Sequence, residues 1–334
     1  MDSEPKRGRG KFDGWSKSSL KSVLDGCSWQ WALQRVGGLD GGSTPHSAAG
    51  TGMHAAIELH ERQRIDDGTV PEPLTLSEEA ARAAWEDGAS IPSQWHNIHG
   101  DQRQAAEWAL ELTDTWLASG TRDILLGYRP IDVEPHVETA DVTVSGGLRG
   151  YLDWLGHDPD RDEYVIVDFK SASNLRRWDN PNQHRIEAAT YLYLSVAGGL
   201  VPEGAAVRME WHVVSRKGED KVLEGPRFHW DEVAFLNARL AEAQHIYDEA
   251  AYAPNPDWGL CSPRWCAFYH GCQVTGQLGP DTVDFPRGPG APLLAPGPAP
   301  EDPAAAPPAA PSSGATPDVP PPAGSNTHDS HDTE

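Results

Sequence analysis

Two carboxylates and a lysine are the residues of this chain whose types and spacing best suit chemistry. Asp153 ends the run Gly150-Tyr151-Leu152-Asp153, and Asp168 and Lys170 flank Phe169 at the end of Val165-Ile166-Val167-Asp168-Phe169-Lys170. Their apolar neighbours predict two adjacent strands joined by a short polar turn, with Asp153 in the first and Asp168 in the second. Successive strand side chains alternate faces, which puts Asp168 and Lys170 on one face and turns Phe169 into the core. Two carboxylates and an ammonium converging at a strand end can bind a hard divalent cation and activate a water beside it. The arrangement predicts metal-dependent hydrolysis of a phosphodiester.

Helices and further strands must position these groups. Ser16 is the expected N-cap of a first helix, with Leu20, Leu24, Cys27 and Trp31 at one-face spacing. A second helix over about 47–65 carries His54, and residues of about 76–119 read as mostly helical, with Trp85, Trp108 and Trp116 as packing anchors. Strands are expected near 131–138, 141–155, 163–169 and 206–214, and helices near 182–196 and 231–250. Everything before about residue 280 reads as one α/β domain. Residues 281–334 are Pro, Ala and Gly with scattered acids, a composition that cannot offset the entropy of ordering, so a disordered tail is expected.

The 334 residues carry a net charge of −23. Eight acidic residues against Arg287 alone follow Cys272, and the remainder of the chain is still acidic. That balance counts against a nucleic-acid partner. The first residues run the other way, with Lys6, Arg7, Arg9, Lys11, Lys17 and Lys21 making a basic N-terminus, flexible over 1–13. A protein that holds a flexible strand in a groove needs a positive path locally, not a positive total. No apolar stretch approaches the roughly 20 residues that span a bilayer. No apolar segment follows the basic start either, so neither membrane helix nor secretory signal is expected and the expected location is the cytoplasm.

Cys261, Cys266 and Cys272 fall within twelve residues, and Cys27 is the only other cysteine. Disulfides do not suit a cytoplasmic protein, and neighbours this close suit a metal centre. Four thiolates can hold zinc or an iron–sulfur cluster, and spacing does not separate the two. Such a centre staples the first helix to the end of the domain.

Assembled in order, these parts resemble the RecB-like branch of the PD-(D/E)XK nuclease superfamily. Within it the chain is similar to the iron–sulfur exonucleases typified by the CRISPR-associated RecB-like nuclease and the nuclease domain of AddB-type helicase–nucleases. The resemblance spans about residues 14–275. It rests on Trp15-Ser16-Lys17-Ser18-Ser19-Leu20 leading to Cys27, Gly52-Met53-His54, Gly150-Tyr151-Leu152-Asp153, Asp168-Phe169-Lys170, a helix with Tyr191, and the terminal cysteines. Each motif alone is weak, and their shared order is specific.

The resemblance implies a restriction-endonuclease-like α/β fold: a mixed central sheet flanked by helices, with a helical insertion and a metal-cluster staple. It implies that His54, Asp153, Asp168 and the Phe169 carbonyl ligate Mg2+ or Mn2+, that Lys170 orients the attacking water, and that Tyr191 lines the DNA side. Cys27, Cys261, Cys266 and Cys272 would then hold a structural [4Fe–4S] cluster, with zinc as the alternative. The activity implied is exonucleolytic hydrolysis of single-stranded DNA or DNA ends, in recombination, repair or replication of a bacterium or phage. Other recombination or replication proteins are the further partners implied. One position departs from the pattern: Glu187 stands where the family has glutamine, four residues before Tyr191, and Gln183 is a candidate to supply the missing amide. The alternative reading is a non-cleaving iron–sulfur DNA-binding accessory protein.

Competing local readings exist for single residues. His54 and His60 lack the H-E-x-x-H spacing of a zinc protease. Asp158, Asp160, Asp162 and Glu163 lack the central glycine of a calcium loop, so a solvated turn is expected there. Glu134 and Glu138 flank the first strand without an assigned role, and Gly146-Gly147 reads as a turn.

Overall fold

Ser16 caps the first helix as its position predicts, its hydroxyl accepting from the Ser19 N–H at 3.2 Å. That helix, α1 (Lys17–Leu24), stops early, and α2 (Ser28–Arg35) starts afresh with Cys27 at its N-cap. The single helix expected through Trp31 is therefore two. A computed structural model describes residues 12, 14–39, 41–93, 96–140, 142, 144, 146–262, 265–269 and 272. The expected basic start, apart from Phe12, and the expected tail lie outside the described residues. Phe12 packs its ring 4.8 Å from Trp15 and 4.5 Å from Tyr247.

Next comes α3 (Pro45–Asp67), opened by a capping box between Thr44 and Ser47 and closed by Gly68 at φ 76°. The stretch expected to be helical to 119 breaks into α4 (Pro73–Gly88), α5 (His96–His99) and α6 (Gln102–Leu117). Trp116 is buried there as an anchor, whereas Trp85 is 50 % exposed. A further helix, α7 (Gly120–Gly127), was not expected; glycines at both ends hide it from pattern reading.

The region 129–158 holds four strands where the pattern predicts two: β1 (Arg129–Val133), β2 (His136–Thr139), β3 (Leu148–Tyr151) and β4 (Trp154–Asp158). Glu134 sits at φ 51° between β1 and β2. Asp153 lies in the two-residue break between β3 and β4, not within a strand. After β5 (Glu163–Ser171) come two 3-10 turns, Leu175–Trp178 and Pro181–His184, and then α8 (Arg185–Ala197). The chain ends its described course with β6 (Val207–Val214), β7 (Asp220–Arg227), α9 (Trp230–Asp248) and the cysteine segment. β7 was missed because Gly225 and Pro226 argue against a strand; as the sheet's edge it tolerates them.

Five strands form one mixed sheet in the order β1-β4-β5-β6-β7, and β2 and β3 pair apart. Among the strands of the described residues, β5 and β6 are the parallel pair. A parallel pair needs a crossover, and α8 supplies it. Alternation along β5 divides the core. Ile166 joins the layer of α1, α2, α8 and α9, while Val165, Val167 and Phe169 join that of α3, α4 and α6. This is the mixed α/β architecture the resemblance implies, with the helices from α3 to α7 inserted ahead of the sheet.

The predicted solvated turn after β4 is corrected in part. Asp160 and Asp162 are exposed, but Asp158 is buried because Arg208 of β6, 0 % exposed, reaches it at 2.7 Å. The same guanidinium meets Glu163 and Glu210 at 3.0 Å each and the Tyr128 hydroxyl at 3.1 Å.

Candidate active site

The end of β5 delivers Asp168, Phe169 and Lys170 with the alternation expected. Asp168 is 0 % exposed and Phe169 packs in the opposite layer. Crossover helix α8 lays Glu187 and Tyr191 over Asp168, and their i,i+4 spacing keeps both on one face. Two ammoniums complete the cluster. Lys17 Nζ, from the first turn of α1, lies 2.6 Å from Asp168 Oδ1 and 2.5 Å from Glu187 Oε1. Lys170 Nζ contacts Asp168 Oδ2 and lies 3.3 Å from Glu187 Oε1. The Lys17 ammonium also stands 4.5 Å over the Tyr191 ring.

Burial works against every charge here, and the charges answer one another. Burial and then Glu187 hold the Asp168 carboxyl above its ordinary value. Burial also opposes ionisation of Glu187, but Lys170, Lys17 and Lys21 together hold its carboxyl below the usual range. Lys17 is likewise desolvated, yet Asp168 and Glu187 keep its pKa well above that of a free lysine. The result is two carboxylates sharing two ammoniums.

Beside this cluster, His54, Glu134 and Asp153 bring one ligand atom each within 4.8 Å of one another. His54 owes its placement to Gly52: a Cβ there would stand 2.4 Å from Ala80 O and 2.7 Å from Ala109 Cβ, so glycine lets α3 press against α4 and α6. Asp153 Oδ2 accepts from the Phe169 N–H at 2.9 Å, which ties the break after β3 to β5. The Phe169 carbonyl, 2.8 Å from His54 Nε2, pairs with the imidazole. The other ring nitrogen, Nδ1, lies 3.5 Å from Asp153 Oδ2. Glu134 holds a left-handed φ immediately before Pro135, where extended backbone is favoured. Its N–H donates to Asp153 O at 3.2 Å. Strain of this kind costs roughly 1–3 kcal/mol and concentrates at functional sites. Oxygen donors with one imidazole suit a divalent cation such as Mg2+ or Mn2+.

Residues 14–273 match the family model described as the PD-(D/E)XK nuclease superfamily. The chain belongs to that superfamily. Two solved structures are also similar in outline. The structure of SSO0001 is 12 % identical, covers 79 % of this chain and 87 % of its own, and has a TM-score of 0.34. The "Putative exonuclease" from Eubacterium rectale is 10 % identical, covers 73 % of this chain and 84 % of its own, and has a TM-score of 0.44. No curated protein sequence matches. Among the described residues, no helix of this PD-(D/E)XK nuclease is long and apolar enough to cross a membrane.

The remaining expected residues divide. Tyr191 lines a cavity of about 740 Å³ together with Lys17, Asp153 and Arg149. Gly150 makes room for that packing, since a Cβ would approach Leu194 Cδ1 to 3.1 Å and Tyr191 Cε1 to 3.6 Å. Gln183 is elsewhere. The helix expected from 182 starts only at Arg185, so Gln183 does not share a helical face with Glu187 and is exposed on a different cavity with Lys21, Ser171 and Trp178. His184 stands nearer to Glu187, Nδ1 to Oε2 at 4.0 Å. The structure adds Lys17 and Glu134, neither of which had been assigned a role. A carboxylate at the glutamine position was the available signal that a further cation must be near.

All four cysteines line one apolar cavity with Trp29, Leu33 and Phe268. Burial, offset in part by the Phe268 N–H and reinforced by the neighbouring thiols, pushes Cys266 up to about 11. Cys261 is raised by burial and by Cys27 and Cys272. Four soft donors around one pocket fit a thiolate-bound metal centre, which removes those protons.

Glu134 gives a test of the cation site. Burial first, then Asp153 and Glu58, raise it from 4.5 to about 7. An acid raised on folding lends stability below its unfolded pKa and loses it as pH climbs through the folded one. In EDTA, Glu134→Gln should therefore gain on the parent between about pH 4 and pH 8, by roughly 1–2 kcal/mol after solvent screening. Thermal melts at both pH values check this, and a difference independent of pH rejects it.

Proposed function

We propose that this nuclease is a Mg2+- or Mn2+-dependent deoxyribonuclease of the RecB-like branch, an exonuclease acting on single-stranded DNA or DNA ends. The observation that carries the reading is the donor set of His54, Glu134 and Asp153 directly beside Asp168 and Lys170. His54, Glu134 and Asp153 would hold the cation, with Asp168 and the Phe169 carbonyl at its edge. When bound, the metal supplies Lewis acidity to a phosphate oxygen and stabilises the leaving oxygen.

The chain's own groups do the rest. Lys170, at the water-exposed end of β5, holds the attacking water in line by hydrogen bonding. Asp168 and Glu187 fix that ammonium. Lys17 neutralises Glu187, so a carboxylate is tolerated where the family has glutamine. Tyr191, beneath Lys17, closes the DNA side. The setting proposed is recombination, repair or replication in a bacterium or phage, with DNA and proteins of that machinery as partners, in the cytoplasm. The nuclease domain is proposed to span residues 14–280; residues 281–334 lie outside the described residues.

Degradation of end-labelled single-stranded DNA, with Mg2+ or Mn2+ and with EDTA, tests the reading. Metal-dependent shortening supports it, and the product ladder reports polarity. A folded protein that binds DNA without cutting supports the non-cleaving accessory reading instead.

The four cysteines are proposed to hold a structural [4Fe–4S] cluster, zinc being the alternative. The convergence of Cys27 with the terminal triplet supports this. Anaerobically purified protein is expected to be brown and to carry iron with acid-labile sulfide, and Cys266→Ser to lose both colour and thermal stability. Zinc without iron, found by elemental analysis, selects the alternative.

A further inference from the structure

The two-stranded sheet β2–β3 has two unlike faces. Its inner face packs on α8 through Gly150 and Val137, whose Cγ1 lies 2.1 Å from where a Cβ on Gly198 would stand. Its outer face carries two cross-strand pairs, His136 opposite Tyr151 and Glu138 opposite Arg149. All four line the cavity that reaches Asp153, and Lys17 and the exposed Arg35 line it too, from α1 and α2. The rings of His136 and Tyr151 lie 4.4 Å apart at 32°. Tyr151 is 57 % exposed, one residue after Gly150 and two before Asp153.

An aromatic ring kept in water, braced from one side by a second ring and flanked by cations, has the makings of a base-stacking platform. Every nucleobase offers a π-face, and a stacked base together with a phosphate-attracting wall is how single strands are held without reading sequence. A paired base inside a duplex has no free face for such a ring. We infer that Tyr151, braced by His136, stacks an unpaired nucleobase of a single-stranded DNA substrate one step from the cation site, with Arg149 and Arg35 drawing its phosphates along the cavity. This rests on the nuclease reading above, which names DNA but not what holds the strand. Glu138 lies 3.4 Å from His136 and is the cross-strand neighbour of Arg149.

The test is binding of fluorescein-labelled oligo(dT) to the full chain in Ca2+ or EDTA, followed by cleavage in Mg2+. Tyr151→Ala should weaken binding by roughly 5- to 150-fold, the range of one lost stacking contact, and raise KM more than it lowers kcat. Tyr151→Phe should bind as the parent does. Oligonucleotides with one abasic position, walked along the strand, separate stacking from mere folding. One position should cost the parent the same factor that Tyr151→Ala costs and cost the variant nothing more. Unchanged binding in Tyr151→Ala, or an abasic penalty that persists in it, overturns the platform. If the parent binds but never cuts, the nuclease reading falls while the binding arms still decide this one.

Discussion

Lys17→Met should lose cleavage and regain it when Glu187→Gln is added, whereas Lys170→Ala should lose cleavage by roughly 10²–10³-fold and stay lost with the same addition. The two lysines share the same carboxylates, so either deletion leaves one ammonium between Asp168 and Glu187. Both carboxylates are buried, and a single cation cannot hold two ionised groups there; one takes a proton. For Lys17 that imbalance is the whole loss, and neutralising Glu187 removes it, restoring about tenfold or more. For Lys170 the missing group is the donor that holds the water, and no change at Glu187 replaces it. Initial rates on labelled single strands, with circular dichroism to show each variant folded, decide the matter. Losses that simply multiply in the Lys17/Glu187 pair would remove Lys17 from the role assigned to it.

Arg208→Met is expected to be the most destabilising single change, at about 3–5 kcal/mol. Arg208 is fully buried and is the common partner of Asp158, Glu163, Glu210 and the Tyr128 hydroxyl. Methionine fills much of the same space, so packing survives, but three acids lose their shared buried cation. That leaves Arg227 on Glu163 at 2.8 Å, Arg161 near Asp158 at 3.9 Å, and His212 at 3.0 Å with the Tyr128 hydroxyl at 3.1 Å on Glu210. At about 2–4 °C per kcal/mol for a domain of this size, the melting temperature should fall by roughly 6–20 °C. The loss should shrink at low pH, where those acids protonate. Asp158, Glu163 and Glu210 are each held below their ordinary values despite burial, chiefly by Arg208, Arg227 and His212, so their stabilisation is present above the unfolded pKa and disappears as pH falls through the folded one. A melting temperature within about 2 °C of the parent at neutral pH would sink this account.

Much of the architecture was legible because its signals are local. Alternation over the six residues from Val165 to Lys170 places Asp168 and Lys170 on one face and Phe169 on the other, and the fold keeps that division. Ser16 announces α1 through its own hydroxyl. Other signals misled for equally physical reasons. Hydrophobic pattern does not register a break of two residues, so Asp153 seemed to lie inside a strand, and Pro226 concealed an edge strand that can hold it. Gln183 was given a helical register that the 3-10 turn before α8 does not keep.

By itself, then, the sequence determined the α/β class, the order of its motifs, the D-x-K strand end and the clustering of three cysteines, each a matter of periodicity or spacing within a few residues. What only the tertiary structure decided is which distant charges meet. Lys17 and Glu187 lie 170 positions apart. Glu134 reaches His54 and Asp153 only because the chain turns left-handed before Pro135. Charge pairing between remote segments leaves no periodic trace, because it depends on where a crossover helix and a strand end come to rest and not on the residues beside each partner.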